Sequence, residues 1–329
     1  MNQASNNPAS RSNFRVHKKW TITSDIVGLE LAPANGAAPP AMPAGAHIEL
    51  VLPGTGGKPL IRHYSLCNAP HETDSYLVAV KREPASRGGS AYIHESLQEG
   101  HILEVSTPRD QFPLASDAGR HVLFAGGIGI TPLLSMAQRL RAADSQFQLV
   151  YFARSLDHVA FAERLDRLGP AVQLRLGLSP QETEQAIAAA LAEADLATHV
   201  YVCGPGQFIT AVERQASAKL GAERFHCEYF AAAPVNTAMA DAPFEVELYK
   251  SGKVLTVAAN QTIVQALEAE GCTPEISCEQ GVCGTCLTRV ISGTPDHRDS
   301  YLSAAEKTAG NQMLICVSRC ASSRLVLDL

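Results

Sequence analysis

Three cysteines fall within nine residues of the stretch "ISCEQGVCGTCLTRV": Cys278, Cys283 and Cys286. Cys316 follows after a further 29 residues. This C-x4-C-x2-C…C spacing is that of a plant-type [2Fe–2S] cluster, for which four thiolates are the complete ligand set. Gly281 and Gly284 would let the backbone curl around such a cluster, and the neighbouring N–H groups could donate to sulfur. Structural zinc also takes four cysteines, but in two C-x2–4-C pairs, whereas here three share one loop and the fourth stands apart. Rieske ligation needs histidines in Cys-x-His pairs, and none are present. "ICVSRC" offers both Cys316 and Cys320 as the fourth ligand, and Cys316 is preferred because the apolar "MLI" before it would hold it inside. Cys272 reads as a small buried hydrophobe.

The chain that must position these thiols has 329 residues, enough for two or three domains. It is 46% hydrophobic and 18% charged, the composition of a globular protein with a core. The formal charge is −6, and no basic stretch interleaved with aromatics appears, which argues against nucleic-acid binding. "MNQASNNPASRSNF" has no apolar signal-peptide core. The longest uncharged apolar stretch, Val122 to Gln138, is broken by "GGIG" and a proline and is too short to span a bilayer. The chain therefore reads as cytoplasmic, with no membrane partner and nine reduced cysteines.

Composition shifts four times along the chain. Residues 1–14 read as disordered. Residues 15–117 hold short strand-like runs ("HIELVL", "SYLVAVKR", "ILEVSTP") between Gly/Pro loops, which suggests a small barrel or sandwich. Residues 118–230 alternate strands ("HVLFAGG", "FQLVYFAR", "VQLRLGL", "HVYVCGPG") with helices ("TPLLSMAQRLRAA", "TEQAIAAALAEA"), the pattern of a parallel sheet. Residues 231–242 read as a linker. From 243 on, "FEVELYKSGKVLTVA" reads as a hairpin. Thr262 and Gln265 stand in capping-box spacing at the start of a helix that stops at Gly271.

Taken with "RHYSLCN", "VAVKREPASRGGS" and "AGGIGITP", the cysteine loop completes a set in which the sequence resembles the phthalate dioxygenase reductase family. That family lies within the wider ferredoxin-NADP reductase superfamily. The resemblance runs over nearly the whole chain after residue 14. It implies three parts in order: a flavin-binding antiparallel β-barrel, an α/β parallel-sheet nicotinamide domain, and a β-grasp ferredoxin domain.

Residue by residue, the resemblance puts Arg62 on a flavin phosphate, Tyr64 against the ring or ribityl chain, and Ser65 near the ring's N5 edge, with His63 between them. Ala79, Val80 and Lys81 of the next strand join the flavin set. Arg87, Gly88, Gly89 and Ser90 form a glycine turn at a helix start, a natural phosphate cradle. "GGIGITP" supplies Gly127 and Gly129, with Thr131 as the expected helix cap and Pro132 as its first residue. It pairs with Cys203, Gly204 and Pro205 of "CGPG" around the nicotinamide. Cys203 could line the hydride-transfer site or be a buried strand-end cysteine. Glu228 would lie beside the flavin together with Tyr229 or, preferably, Phe230.

Family members with this domain order bind FMN, and no aromatic segment stands ready to stack the adenine of FAD. Arg154 and Ser155 could reach a 2′-phosphate, while Asp157 favours a 2′-hydroxyl; the family mostly favours NADH. The implied catalytic set is Ser65, Cys203 and Glu228, and the implied partner is a Rieske-type terminal oxygenase served by a monomeric reductase. From residue 243 the chain has seven Lys/Arg against ten Asp/Glu, a net −3 that could steer it to a basic partner. A stand-alone NADH:acceptor oxidoreductase is the alternative enzyme, and an iron–sulfur redox sensor the alternative of another class.

Overall fold

The computed structural model describes residues 10–54, 59–84, 88–230 and 241–329. Arg87 and most of the expected linker lie outside these residues. The first six strands are β1 (Arg11–Thr23), β2 (Ile26–Pro33), β3 (His47–Leu52), β4 (Leu60–Ser65), β5 (Tyr76–Lys81) and β6 (Ile102–Ser106). They pair antiparallel in the order β4-β3-β6-β1-β2-β5, and a bridge between Leu66 and Val78 joins the two ends into a barrel. Bulges after Val16 and Thr21 bend the long β1 as closure requires. Leu29, Leu31, Ile48, Leu50, Val78 and Val105 are fully buried inside, each contributing about 1.5–3 kcal/mol of transfer free energy. Residues 11–14, expected to be disordered, belong to β1: they pair with β6, and Phe14 is buried in a 4.9 Å stack on Tyr76. The helix α1 (Gly89–Glu95) precedes β6.

The alternating segment folds as β7 (Arg120–Gly126), α2 (Ile130–Ala142), β8 (Phe147–Ala153), α3 (Ala162–Leu168), β9 (Val172–Leu176), α4 (Pro180–Leu191), β10 (Thr198–Cys203), α5 (Gly206–Leu220) and β11 (Phe225–Glu228). Its sheet is wholly parallel in the order β11-β10-β7-β8-β9. Strand order reverses between β7 and β10, and in such sheets ligands bind outside the carboxyl ends of the strands at that switch point. The barrel and this sheet form one compact unit that ends at Glu228. A single apolar cluster makes them one: Ile26, Cys67, Leu77 and Ala79 of the barrel segment pack with Leu133, Met136, Tyr151 and Tyr201.

The second unit, from Tyr229 on, contains β12 (Phe244–Leu248), β13 (Val254–Val257), α6 (Ile263–Ala269), β14 (Leu287–Ser292), β15 (Pro295–Asp296), α7 (Ala304–Ala309), β16 (Gln312–Leu314), β17 (Arg319–Cys320) and β18 (Arg324–Leu327). Its main sheet runs β13-β12-β18-β14-β16, with β12 and β18 parallel and the other pairs antiparallel. The capping box forms as its spacing predicts: Gln265 N–H donates to Thr262 Oγ1 at 3.1 Å, and Thr262 N–H donates to Gln265 Oε1 at 3.0 Å. The helix buries Ile263, Val264, Ala266 and Leu267 on the sheet. No helix of the described residues is long and apolar enough to cross a membrane.

Candidate active site and metal centre

The loop between α6 and β14 carries Cys278, Cys283 and Cys286, and Cys316 follows β16; all four are at most 5% exposed. Among the described residues, no three His, Cys, Asp or Glu side chains converge as ligands of one metal ion. The thiols meet instead in pairs. Hydrogen bonding to Cys283, then burial, pushes the Cys278 thiol well up, and hydrogen bonding to Cys286, then burial, does the same for Cys316. Two pairs of mutually close thiols suit a two-iron cluster, with one pair on each iron, better than a single zinc.

Backbone N–H groups face these sulfurs. Gln280 N lies 3.3 Å from Cys278 Sγ, Val282 N–H also bonds Cys278, and Gly281 N–H bonds Cys316. Such donors favour the thiolate form. Gly281 and Gly284 have φ of 69° and 78°, and a Cβ on Gly284 would stand 2.4 Å from Tyr301 Cζ. A Cβ on Gly281 would likewise stand 2.6 Å from Val317 Cγ2, so the loop needs both glycines for conformation and for space. Cys320, the other candidate for fourth ligand, turns away: its Sγ bonds the Ser322 carbonyl at 2.9 Å.

In the barrel, Arg62 lies directly against the start of α1, where a Cβ on Gly89 would come within 2.9 Å of Arg62 Cγ and Nε. Gly88, at φ 101°, turns the chain into that helix. A guanidinium beside a glycine-built helix start fits a phosphate. Tyr64 follows on the same strand, its phenol pushed well up by burial. His63 stands elsewhere, 3.9 Å from Glu49 and with its ring 5.1 Å from that of His47. Ala79 and Val80 are buried, Lys81 pairs with Glu83 at 3.5 Å, and Ser90 Oγ accepts from Glu83 N–H at 3.2 Å.

At the switch point the ends of β7 and β10 close on each other. A Cβ on Gly129 would lie 2.2 Å from the Cys203 carbonyl oxygen, and one on Gly204 would lie 3.0 Å from Gly126 Cα. Thr131 does not cap α2, nor is Pro132 its first residue. Gly127, at φ 54°, starts a short 3₁₀ turn over Gly127–Gly129 that runs directly into Ile130. Thr131 is buried, and its hydroxyl donates to the Ile128 carbonyl at 3.1 Å. Pro132 still falls within the first helical turn, where its missing N–H costs no bond. Pro205 precedes α5.

Here the barrel and the parallel sheet meet. Ser65 Oγ donates to Glu228 Oε2 at 3.4 Å across 163 positions of sequence. Burial pushes the Glu228 carboxyl up to about 8, against the pull of that hydrogen bond. Cys203 pairs with Glu228 in register and is fully buried, its thiol pushed up first by burial and then by the Glu228 charge. Ser65, Cys203 and Glu228 are therefore brought together. Phe230 lies in the second unit and is 37% exposed. Arg154, at the end of β8, is within 3.6 Å of Asp25. Asp25 and the pair Glu72–Arg164 carried no signal in the sequence, because each acts through a partner remote along the chain.

Residues 246–321 match the family model of the 2Fe-2S iron-sulfur cluster binding domain, and residues 105–224 that of the dimethylamine monooxygenase subunit DmmA-like N-terminal domain. The chain is 47% identical over 311 residues to the vanillate O-demethylase oxidoreductase of Pseudomonas sp. (strain HR199 / DSM 7063), covering 94% of this chain and 96% of that one. It is similar to the structure of phthalate dioxygenase reductase, a modular structure for electron transfer from pyridine nucleotides to [2Fe-2S]. The TM-score is 0.77 and the identity 37%, over 97% of this chain and 98% of that one. An intact type IV self-sufficient cytochrome P450 monooxygenase matches with TM-score 0.78 and 35% identity, over 97% of this chain but only 41% of that longer protein.

Proposed function

The chain belongs to the phthalate dioxygenase reductase family, and from that premise we propose that it passes electrons from NADH through FMN and a [2Fe–2S] cluster to a Rieske-type terminal oxygenase. The observation that carries the reading is the pairing of Cys278 with Cys283 and of Cys286 with Cys316 in a loop lined by N–H donors. When bound, the flavin supplies acceptance of a hydride and release of single electrons, and the cluster supplies one-electron transfer.

The protein's own residues position and tune. Arg62, seated on Gly89, would hold the flavin phosphate, and Tyr64 would pack against the ring or the ribityl chain. Gly127 and Gly129 let α2 begin close under the Cys203 carbonyl, leaving room for a nicotinamide where β7 and β10 end. Ser65 and Glu228 fix the edge of the site. With its carboxyl raised to about 8, Glu228 holds a proton at neutral pH and presents no charge to the flavin. Cys203 stays a neutral thiol and acts by shape. Hydride transfer needs no acid from the protein, so the work of these groups is orientation.

The four thiols hold the cluster at the end of the relay. The protein acts as a monomer in the cytoplasm, since no step calls on a second copy. The family resemblance favours a Rieske partner. A haem oxygenase is the competing partner, because a P450 monooxygenase carries a similar region within one chain.

Cys283→Ser tests the relay. NADH-driven dye reduction should survive while reduction of a Rieske oxygenase is lost. If C283S and wild type reduce the oxygenase equally, the cluster is not on the route; if wild type reduces dyes but no oxygenase, the chain is a stand-alone NADH:acceptor oxidoreductase.

A further inference from the structure

We propose that Asp299, a buried carboxylate held against the cysteine loop, sets the reduction potential of the cluster through its negative charge. The proposal rests on the cluster reading above and adds the residue that tunes it. The potential of an iron–sulfur centre follows nearby charge, hydrogen bonds to the sulfurs and solvent access. Backbone N–H groups of the loop supply the hydrogen bonds here, and Asp299 supplies the charge.

The segment that begins at Asp299 crosses the cysteine loop at both of its glycines. A Cβ on Gly281, whose N–H bonds Cys316, would stand 3.1 Å from Asp299 Cα. Ser300 N–H donates to the Gly281 carbonyl at 3.0 Å, and the Tyr301 ring fills the space over Gly284. The carboxylate organises this crossing, since its Oδ2 accepts from Tyr301 N–H at 3.1 Å and Leu302 N–H at 2.8 Å. Its Oδ1 is buried and has no hydrogen-bond partner among the described residues. His297 Nδ1 stands 3.6 Å from it, and Lys307 Nζ stands 3.8 Å from Oδ2 on a side chain that is 31% exposed. Arg298, next in the chain, does not offset the charge: Asp241 and Asp296 take its guanidinium at 2.6 and 2.7 Å. A buried oxygen left unpaired is rare in a native fold and calls for an explanation. Beside a centre that gains one electron, a fixed negative charge opposes that electron, and burial keeps water from screening it.

The test is the midpoint potential of the cluster in the full-length, flavin- and iron-loaded protein. Visible and EPR spectra follow an anaerobic reductive titration at one fixed pH. Asp299→Asn keeps an oxygen for Tyr301 and Leu302 and removes the charge. Its potential should rise by about 59 mV, a tenfold shift toward the reduced cluster for one electron. Lys307→Met removes a positive charge beside the same carboxylate and should move the equilibrium about threefold the other way. Iron content and EPR line shape should match wild type in both variants, because neither substitution touches a thiol. An unchanged potential in iron-loaded D299N overturns the proposal. So does a shift with an altered line shape, which would mean reshaped ligation rather than charge. If D299N retains no iron, K307M decides: a lowered potential upholds the proposal and an unmoved one overturns it. Wild type that holds no iron after reconstitution defeats the cluster reading itself, and the proposal falls with it; that result is read from iron content alone, apart from any potential.

Discussion

Glu72 and Arg164 form a two-point ion pair, with Nη2 reaching Oε1 at 2.7 Å and Nη1 reaching Oε2 at 2.9 Å. Glu72 lies in the loop between β4 and β5, and Arg164 lies on α3. Gln138 Nε2 donates to the Cys67 carbonyl at 2.9 Å, and Ser135 Oγ donates to the Asn68 carbonyl at 3.1 Å. Three side chains of the α/β segment thus grip a loop that begins directly after Ser65. Their hold places Ser65 opposite Glu228.

Breaking this grip should cost stability in a pH-dependent way. Burial alone would raise the Glu72 carboxyl, but hydrogen bonds from Arg164 and Ala69 outweigh it and leave the group below its usual range. Its folded pKa is depressed, so its stabilisation is complete above the ordinary carboxylate range and is lost as pH falls through the lowered value. Glu72→Gln should cost about 1–2 kcal/mol at pH 7. The gap from wild type should narrow toward pH 3, as read from denaturant midpoints across pH.

Cys316 and Cys320 should separate cleanly. Cys316→Ser removes a thiol paired with Cys286, so the purified protein should lose its broad visible thiolate-to-iron absorbance and most of its iron. Cys320→Ser, at a sulfur bonded to Ser322, should retain both. Iron and acid-labile sulfide assays on the two variants decide it.

Glycine substitutions distinguish conformation from crowding. Gly252 has φ 68° and open space around its Cβ position. Gly252→Ala should therefore lose only the left-handed preference, about 1–2 kcal/mol. Gly284→Ala adds a collision with the Tyr301 ring and should also lower cluster occupancy. Equal iron content in the two variants would show that Tyr301 yields freely.

A second pH effect should come from the histidines at the opposite end of the parallel strands. His199 Nδ1 and His226 Nε2 are 2.9 Å apart, and the His226 ring stacks on Tyr201 at 4.5 Å. Burial, then the His199 charge, lowers the His226 imidazole to about 4. With the folded pKa below the unfolded one, stability is complete above about 6.5 and is lost as pH falls toward 4. After discounting for partial exposure, about 1–2 kcal/mol is at stake. His226→Phe, which can keep the stack on Tyr201, should flatten that slope in thermal melts between pH 7 and 4.

What the sequence disclosed was local. Cys278, Cys283 and Cys286 announce their chemistry because a cluster loop is built from near neighbours, and Thr262 with Gln265 announces a helix start for the same reason. The glycine turns could be placed but not their detail: Gly127 begins a 3₁₀ turn, and that displaced Thr131 from the expected cap. Phe14 was misread because its burial depends on Tyr76, far along the chain. Ser65 with Glu228, Glu72 with Arg164 and Arg154 with Asp25 were invisible as pairs, since only the packed fold brings them together.

The most direct measurement is an anaerobic titration of the flavin- and iron-loaded protein with NADH, followed in the visible spectrum. The relay predicts that the flavin bands in the blue and the broader thiolate-to-iron absorbance both bleach. In Cys283→Ser, only the flavin bands should remain to be bleached. Bleaching of the flavin alone in wild type, or a colourless protein holding zinc at its four thiols after reconstitution, would contradict electron transfer through Cys278, Cys283, Cys286 and Cys316.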